Sequence, residues 1–194
     1  METRTNFTGF YSLFQNGATF LGIFVQNYEF LKERFEIHEG IFIQSGSYRF
    51  NNFYSEFESD KSKAISGKIK FTKGNFYDGN ITGYGFGTNL KLGAHLTINL
   101  LYDHNDVKLK SGNFKTEIIG TRILYTFSPK LFAKAFIQWN SDKNAIIGNF
   151  LLSFIHTPGS DFFLVYNEEL SKNGKAFKTN NRALMLKFTY LFNI

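Results

Sequence analysis

The stretch Leu184-Met185-Leu186-Lys187-Phe188-Thr189-Tyr190-Leu191-Phe192 decides the fold. In a β-strand successive side chains point to opposite faces. Leu184, Leu186, Phe188, Tyr190 and Phe192 therefore make one wholly apolar face, while Met185, Lys187 and Thr189 stand on the other. The same alternation recurs upstream. Ala94, Leu96, Ile98, Leu100 and Tyr102 oppose His95, Thr97, Asn99 and Asp103, and Ile65, Ile69 and Phe71 oppose Ser66, Lys68, Lys70 and Thr72. Leu131, Ala133, Ala135, Ile137 and Trp139 oppose Lys134, Gln138 and Asn140, although Phe132 and Phe136 interrupt that polar side. Eleven runs are read at 5–16, 18–31, 47–60, 63–77, 79–91, 93–105, 113–128, 130–142, 144–157, 160–169 and 181–193. With no helical period between them, they predict an all-β chain. The runs at 18–31 and 144–157 are apolar on both faces and carry no orientation.

Most of these runs exceed the five or six residues usual in soluble strands. They reach the roughly 9–11 residues that a tilted strand needs to cross hydrocarbon. Aromatics make up 19% of the chain, with 25 Phe and 10 Tyr, yet mean hydropathy is only −0.21, because the rings are spread singly among polar neighbours. The 194 residues fit one domain. Cysteine is absent, which excludes disulfides, thiolate metal sites and thiol nucleophiles. Pro129 and Pro158 both stand beside turns, leaving strand interiors clean.

The net charge is +6 and the isoelectric point about 9.4. Lys and Arg are scattered instead of gathered in a stripe, which argues against nucleic acid as a partner and suits anionic lipid surfaces or anionic solutes. No run of about 18 apolar residues is present, so no transmembrane helix is expected. Met1-Glu2-Thr3-Arg4 opens without the apolar region of a secretory signal.

The connections complete the expectation. Outer-membrane barrels carry short turns inside and longer loops outside. With the C-terminus in the periplasm, 32–46, 106–112 and 170–180 fall outside, while 17, 92, 129 and 158–159 fall inside; 78 and 143 are outer but short. The reading is an antiparallel up-and-down transmembrane β-barrel of about 11–12 strands in the bacterial outer membrane, with residues 1–194 as a single β-barrel domain. Eleven strands place the N-terminus outside, whereas bacterial single-chain barrels have an even number and both ends inside. The chain is therefore expected to be the C-terminal part of a larger barrel lacking upstream strands and the export signal; the alternative is one miscounted strand.

Several ordered segments carry a family resemblance: Gly46-Ser47-Tyr48-Arg49-Phe50, Tyr102-Asp103-His104-Asn105-Asp106-Val107, Phe136-Ile137-Gln138-Trp139-Asn140-Ser141-Asp142, the segment from Pro158 to Glu168, and Leu186-Lys187-Phe188-Thr189-Tyr190-Leu191-Phe192. From about residue 30 onward the chain resembles the C-terminal barrel domain of unknown function that follows a family-nine-type carbohydrate-binding module in Gram-negative surface proteins. The resemblance implies an outer-membrane barrel with no assigned activity. Polysaccharide would be held through the absent upstream module, so no residue of this chain inherits sugar binding. The ending Phe192-Asn193-Ile194 departs from the terminal aromatic common in such barrels.

Other constellations favour bland readings. Gly83, Gly85 and Gly87 lack the strand–turn–helix setting of a phosphate loop and fit relief of crowding on one strand face. Asp103-His104-Asn105-Asp106 lacks a full calcium-loop pattern, because Lys108 and Lys110 fall where acidic ligands would help. His38, His95, His104 and His156 share no metal spacing. A serine esterase needs Ser, His and an orienting group on one face; His95 with Asn99 has no nearby serine, and His156 near Ser153 and Ser160 sits beside an inner turn. Glu168 and Glu169 are adjacent and point to opposite faces. No catalytic, cofactor-binding or metal-holding residues are assigned, and the protein is not expected to be an enzyme.

The candidate lumen lining is Lys68, Lys70, Asn89, His95, Asn99, Asp103, Arg122, Lys134, Gln138 and Lys187. Dry burial of these charges would be prohibitive, so the interior is expected to be water-filled or densely paired. Its surplus of Lys and Arg would favour anions along any continuous passage. Tyr28, Tyr77, Tyr125, Phe127, Trp139, Tyr166 and Tyr190, near strand ends, suit interfacial girdles. The expected function is surface transport, binding or anchoring, with outer-membrane lipid as partner. The rival is a soluble β-barrel carrier of an apolar ligand.

Overall fold

The computed structural model describes residues 2–173 and 176–192. Alternating, β-branched and aromatic-rich sequence produces thirteen strands: β1 Glu2–Leu13, β2 Thr19–Leu31, β3 Phe35–His38, β4 Ile41–Ile43, β5 Gly46–Glu58, β6 Ile65–Phe76, β7 Gly79–Leu92, β8 Leu96–Leu109, β9 Gly112–Ser128, β10 Leu131–Asn140, β11 Ala145–Thr157, β12 Ser160–Asn173 and β13 Ala176–Thr189. No helix occurs among the described residues. The chain is all-β, and its main sheet is antiparallel and up-and-down.

That sheet has eleven strands in the order β1-β2-β5-β6-β7-β8-β9-β10-β11-β12-β13, and β3 and β4 form a separate two-stranded hairpin. Two expectations are corrected here. First, the sheet is not closed into a barrel: closure requires the first and last strands to share a ladder, and among the described residues β1 pairs only with β2 and β13 only with β12. Both edge strands are exposed along nearly their whole length on both faces. Second, two of the outer loops dissolve into longer strands. The connection read at 106–112 shrinks to the turn between Leu109 and Gly112, and β12 and β13 extend through most of 170–180. Cross-strand pairs such as Lys115 opposite Asp106 and Arg182 opposite Glu168 carry these polar stretches as ladder. The long connection at 32–46 is retained, but it is folded into the β3–β4 hairpin.

The turn chemistry follows the sequence. The β11–β12 turn closes on Pro158-Gly159, with Gly159 at φ +86°, a conformation that a β-carbon would strain. Asn193 and Ile194 of the expected terminal departure lie outside the described residues, as do Met1 and residues 174–175.

Contacts divide the chain into two units. The first comprises Met1–Ser62, Ser66–Gly87 and Tyr102–Glu117, and the second comprises Lys63–Ile65, Thr88–Leu101 and Ile118–Ile194. The hydrophobic core belongs to the first. Leu31 of β2, Ile41 and Ile43 of β4, and Val107 and Leu109 of β8 are buried together, flanked by Phe35, Tyr48, Phe76 and Phe114. Tyr77, read as an interfacial girdle residue, belongs to this cluster instead. It packs edge-on against Phe35, Tyr48 and Phe76, and its hydroxyl donates to Glu29 Oε2 at 2.8 Å. Burial and that hydrogen bond push its ionisation above the ordinary tyrosine value.

In the second unit, register puts Ile123, Ala135, Phe150, Tyr166 and Leu184 on one face. Leu186, Leu164, Leu152 and Ala133 continue that face one row away. The final apolar run thus joins a continuous apolar stripe across five strands, as its alternation predicts.

Candidate functional site

The β5–β6 ladder builds the site. Its register sets Glu58 opposite Lys68, Glu56 opposite Lys70 and Tyr54 opposite Thr72, all on one face. Acids on one strand thereby meet bases on the next, the favourable cross-strand arrangement. Lys68 Nζ donates to Glu56 Oε1 at 2.7 Å and lies 3.8 Å from Glu58 Oε1. The Tyr54 hydroxyl donates to the other oxygen of Glu56 at 2.5 Å. At the turn, Lys61 Nζ reaches Glu58 Oε2 at 2.8 Å.

The site widens across β7. Lys70 Nζ pairs with Asp103 Oδ1 at 2.5 Å, so β6 and β8 are bridged over the intervening strand. Gly85 makes this possible. A β-carbon there would run into Asp103 Oδ1 and would stand 2.8 Å from Lys70 Cε. At Gly83 a β-carbon would meet Asn105 Oδ1. The glycine stripe therefore clears space for an ion pair, which is the physical content of the crowding read from the sequence.

Gly85→Ala is expected to displace the Lys70–Asp103 pair, whose clashing atoms are side-chain ends able to shift, and to lower stability by up to about 1 kcal/mol, the worth of a partly exposed ion pair. Denaturant midpoints compared with Gly67→Ala check this, since a β-carbon at Gly67 meets only Gly87 O at an ordinary 3.8 Å. Equal midpoints for the two variants would remove the space-clearing role.

Polarity in the first unit is inverted. The carboxylates and amines of Glu56, Glu58, Lys68, Lys70 and Asp103 have side chains only 17–33% exposed. On the opposite face Phe53, Phe57, Ile69 and Phe71 are 40–53% exposed. Water-soluble folds bury the apolar face and expose the charged one.

The β3–β4 hairpin lies on the charged side. Leu31 shares a face with Glu29, Tyr48 and Phe50, and through the alternation of β5 with Tyr54 and Glu56. The hairpin's Ile41 and Ile43 are buried against Leu31 there, and His38 stacks on Phe114 at 4.6 Å. The longest connection thus folds over one end of the charged face.

The sequence-predicted lining residues distribute unevenly. Lys68, Lys70 and Asp103 come together as described, and Asn105 joins their face through a hydrogen bond to Thr116. Glu56, Glu58 and Tyr54, their partners, were not anticipated; the alternation Tyr54-Ser55-Glu56-Phe57-Glu58 was the available signal. In the second unit Arg122 sits over the Phe136 ring at 5.3 Å and Lys134 over Phe132 at 5.1 Å, so each cation meets an aromatic face. Arg122, Lys134 and Gln138 share a face with Asn149 and Asn167, which hydrogen-bond each other at 2.8 Å. Lys187 lies opposite Phe163 on that face and is exposed. Asn89 Oδ1 is buried without a hydrogen-bond partner, and Asn99 is half-buried on β8. His95 precedes β8 in a turn, where its Nδ1 meets Thr126 O at 2.7 Å.

Two consequences follow. The cationic surplus expected of the lining is reduced in the first unit, because Lys68 and Lys70 are neutralised by Glu56, Glu58 and Asp103. Asp103-His104-Asn105-Asp106 lies within β8 and not in a loop, so its side chains alternate between faces and cannot converge on one ion. His104 instead stacks on Tyr84 at 4.7 Å with its Nδ1 3.2 Å from Glu117 Oε1.

No protein-family model matches the chain, and neither a curated protein nor a solved structure matches it.

Proposed function

We propose that this chain forms part of the wall of a bacterial outer-membrane β-barrel, serving surface transport, binding or anchoring and not catalysis. The observation that carries the reading is the inverted polarity of the first unit: shielded ion pairs on one face and exposed Phe and Ile on the other. Hydrocarbon is the solvent that stabilises such a face. The charged face then lines a lumen whose ions are paired with one another, as Lys68 with Glu56 and Lys70 with Asp103. The β3–β4 hairpin narrows this lumen at the loop end.

The open edges support a larger barrel. A long, apolar, unpaired edge strand is a template for further pairing. Phe7, Phe10 and Leu13 on β1 and Leu184, Leu186 and Phe188 on β13 are more than half exposed. Upstream strands of the same protein close the sheet in this reading. The family resemblance adds a carbohydrate-binding module beyond those strands, which makes the barrel the membrane anchor of a polysaccharide-binding surface protein.

The absence of cysteine permits a direct test. Phe57→Cys and Thr72→Cys, on opposite faces of the β5–β6 ladder, are labelled with an environment-sensitive fluorophore and the chain is refolded into phosphatidylcholine vesicles. The expected result is that the label at Phe57→Cys is quenched by nitroxide lipid and the label at Thr72→Cys by aqueous iodide. The reverse pattern, or folding in plain buffer with the Phe57→Cys label buried, belongs to a soluble carrier and overturns the proposal.

A further inference from the structure

The apolar face of the first unit ends in a basic rim. Following each strand toward the β3–β4 end, Phe53 gives way to Asn51 and Arg49 on β5, and Phe24 to Gln26 and Tyr28 on β2. On β6, Ile69 and Phe71 give way to Lys73. Arg4, Tyr28 and Arg49 stand in one cross-strand row, and the Arg49 guanidinium lies 5.6 Å over the Tyr28 ring. Arg4 and Arg49 line a groove of about 550 Å³ together with Gln26, Asn6 and Asn51. A second groove of about 550 Å³ on the same unit is lined by Lys73, Lys108 and Lys115.

Charge complementarity identifies the occupant. The two grooves hold five cations against two carboxylates, Glu2 and Asp106. Asp106 is engaged by Lys115 at 3.8 Å. Among the described residues Arg4, Arg49, Lys73 and Lys108 have no carboxylate at ion-pair distance. Arg49 lies four residues from Phe53 on β5 and Lys73 two residues from Phe71 on β6, about 13 and 7 Å along the strands. That is the offset between a lipid's acyl chains and its phosphate. Asn and Gln beside the cations supply uncharged donors for the remaining phosphate oxygens.

We infer that this rim binds the phosphate of an anionic membrane lipid, with the acyl chains lying on the Phe face below. The inference rests on the membrane reading above and names the lipid class that this face of the barrel recruits. Tyr28 fixes Arg49 at the interface, where amphipathic rings settle. Lys73 and Lys108 extend the same recognition to a neighbouring headgroup.

Native mass spectrometry of the full chain, folded in an uncharged detergent and titrated with phosphatidylglycerol or phosphatidylcholine, tests it. The wild-type chain is expected to retain phosphatidylglycerol preferentially. Each rim cation removed should weaken retention about fivefold, so that Arg4→Gln, Arg49→Gln and Lys73→Gln together weaken it on the order of a hundredfold. Lys130→Gln with Lys143→Gln, which removes charge from exposed turns, should leave retention unchanged. Undiminished retention by the triple variant overturns the inference. Displacement of the lipid by inorganic phosphate at equal concentration overturns it in favour of a soluble-anion site. The lipid-quenching measurement described above, on chain refolded into vesicles, separates the two levels. A chain that inserts yet does not discriminate between the lipids overturns this inference alone, and a chain that does not insert overturns both.

Discussion

Phe57→Arg is expected to destabilise the chain in phosphatidylcholine vesicles by about 1–4 kcal/mol, the depth-dependent penalty for a cation on the lipid face of a barrel. Phe57 stands between Phe20 of β2 and Ile69 of β6 in register, on the exposed apolar face and eight residues along β5 from Arg49 of the basic rim. Its residue surface is 41% exposed, so no tight protein packing is disturbed by the longer side chain. The sign of the change is therefore set by the solvent. Water would tolerate the arginine or favour it, whereas hydrocarbon would not. Urea titration of the vesicle-folded protein, with the folded fraction read from the mobility of unheated samples on a gel, measures the difference. Stability equal to or above wild type would show that the face meets water.

Ile43→Ala should have the largest effect of any single truncation in the first unit. Ile43 is the only large hydrophobic side chain with no exposed surface among the described residues, and it is surrounded by Leu31, Ile41, Val107 and Leu109. Removing its outer carbons from such a site costs about 2–5 kcal/mol through lost contacts and the cavity left behind. The loss falls on the β3–β4 hairpin, whose ladder is short and interrupted between Glu36 and His38. The hairpin should then lift from the charged face, speeding trypsin cleavage at Lys32 and Arg34 and raising single-channel conductance in a planar bilayer. Ile43→Val, which removes one methylene, should stay near wild type in both readouts. Unchanged protease protection in the alanine variant would show that the hairpin is held by something other than this cluster.

The eleven strands of the main sheet were legible because period-2 alternation is long and repeated, as in Leu96–Tyr102 and Leu184–Phe188, although the last strand ends at Thr189, short of the Tyr190 and Phe192 that continue the pattern. The β3–β4 hairpin was not, since four and three residues are too few for alternation to stand out from a loop. Its turn does carry a mark, Gly40 with φ +73°. Strand ends were misread where polar residues continue a ladder. Asp106, Ser171 and Asn180 look like loop composition, but Asp106 finds Lys115 across its strand pair and Ser171 hydrogen-bonds Asn180 across β12 and β13. In the candidate site, the face of Lys68, Lys70 and Asp103 followed from parity alone. Their partners did not, because Glu56 meets Lys68 only through the β5–β6 register, a quantity that one strand's sequence does not contain. Tyr77 was misplaced for a related reason. Its φ of +49° turns it out of the strand alternation and into the core.

The order of the main sheet has a kinetic consequence. Every ladder in it joins strands that are neighbours along the chain, with β3–β4 as the single detour. Contacts of such short sequence separation close small loops, and chains built from them form quickly for their size. The sheet can therefore zip up one hairpin after another from any starting pair. In the proposed larger barrel, joining β13 to the first of the upstream strands is the only event that must bring distant residues together, which makes it the slow step of assembly and the moment at which a bare edge is most open to a wrong neighbour.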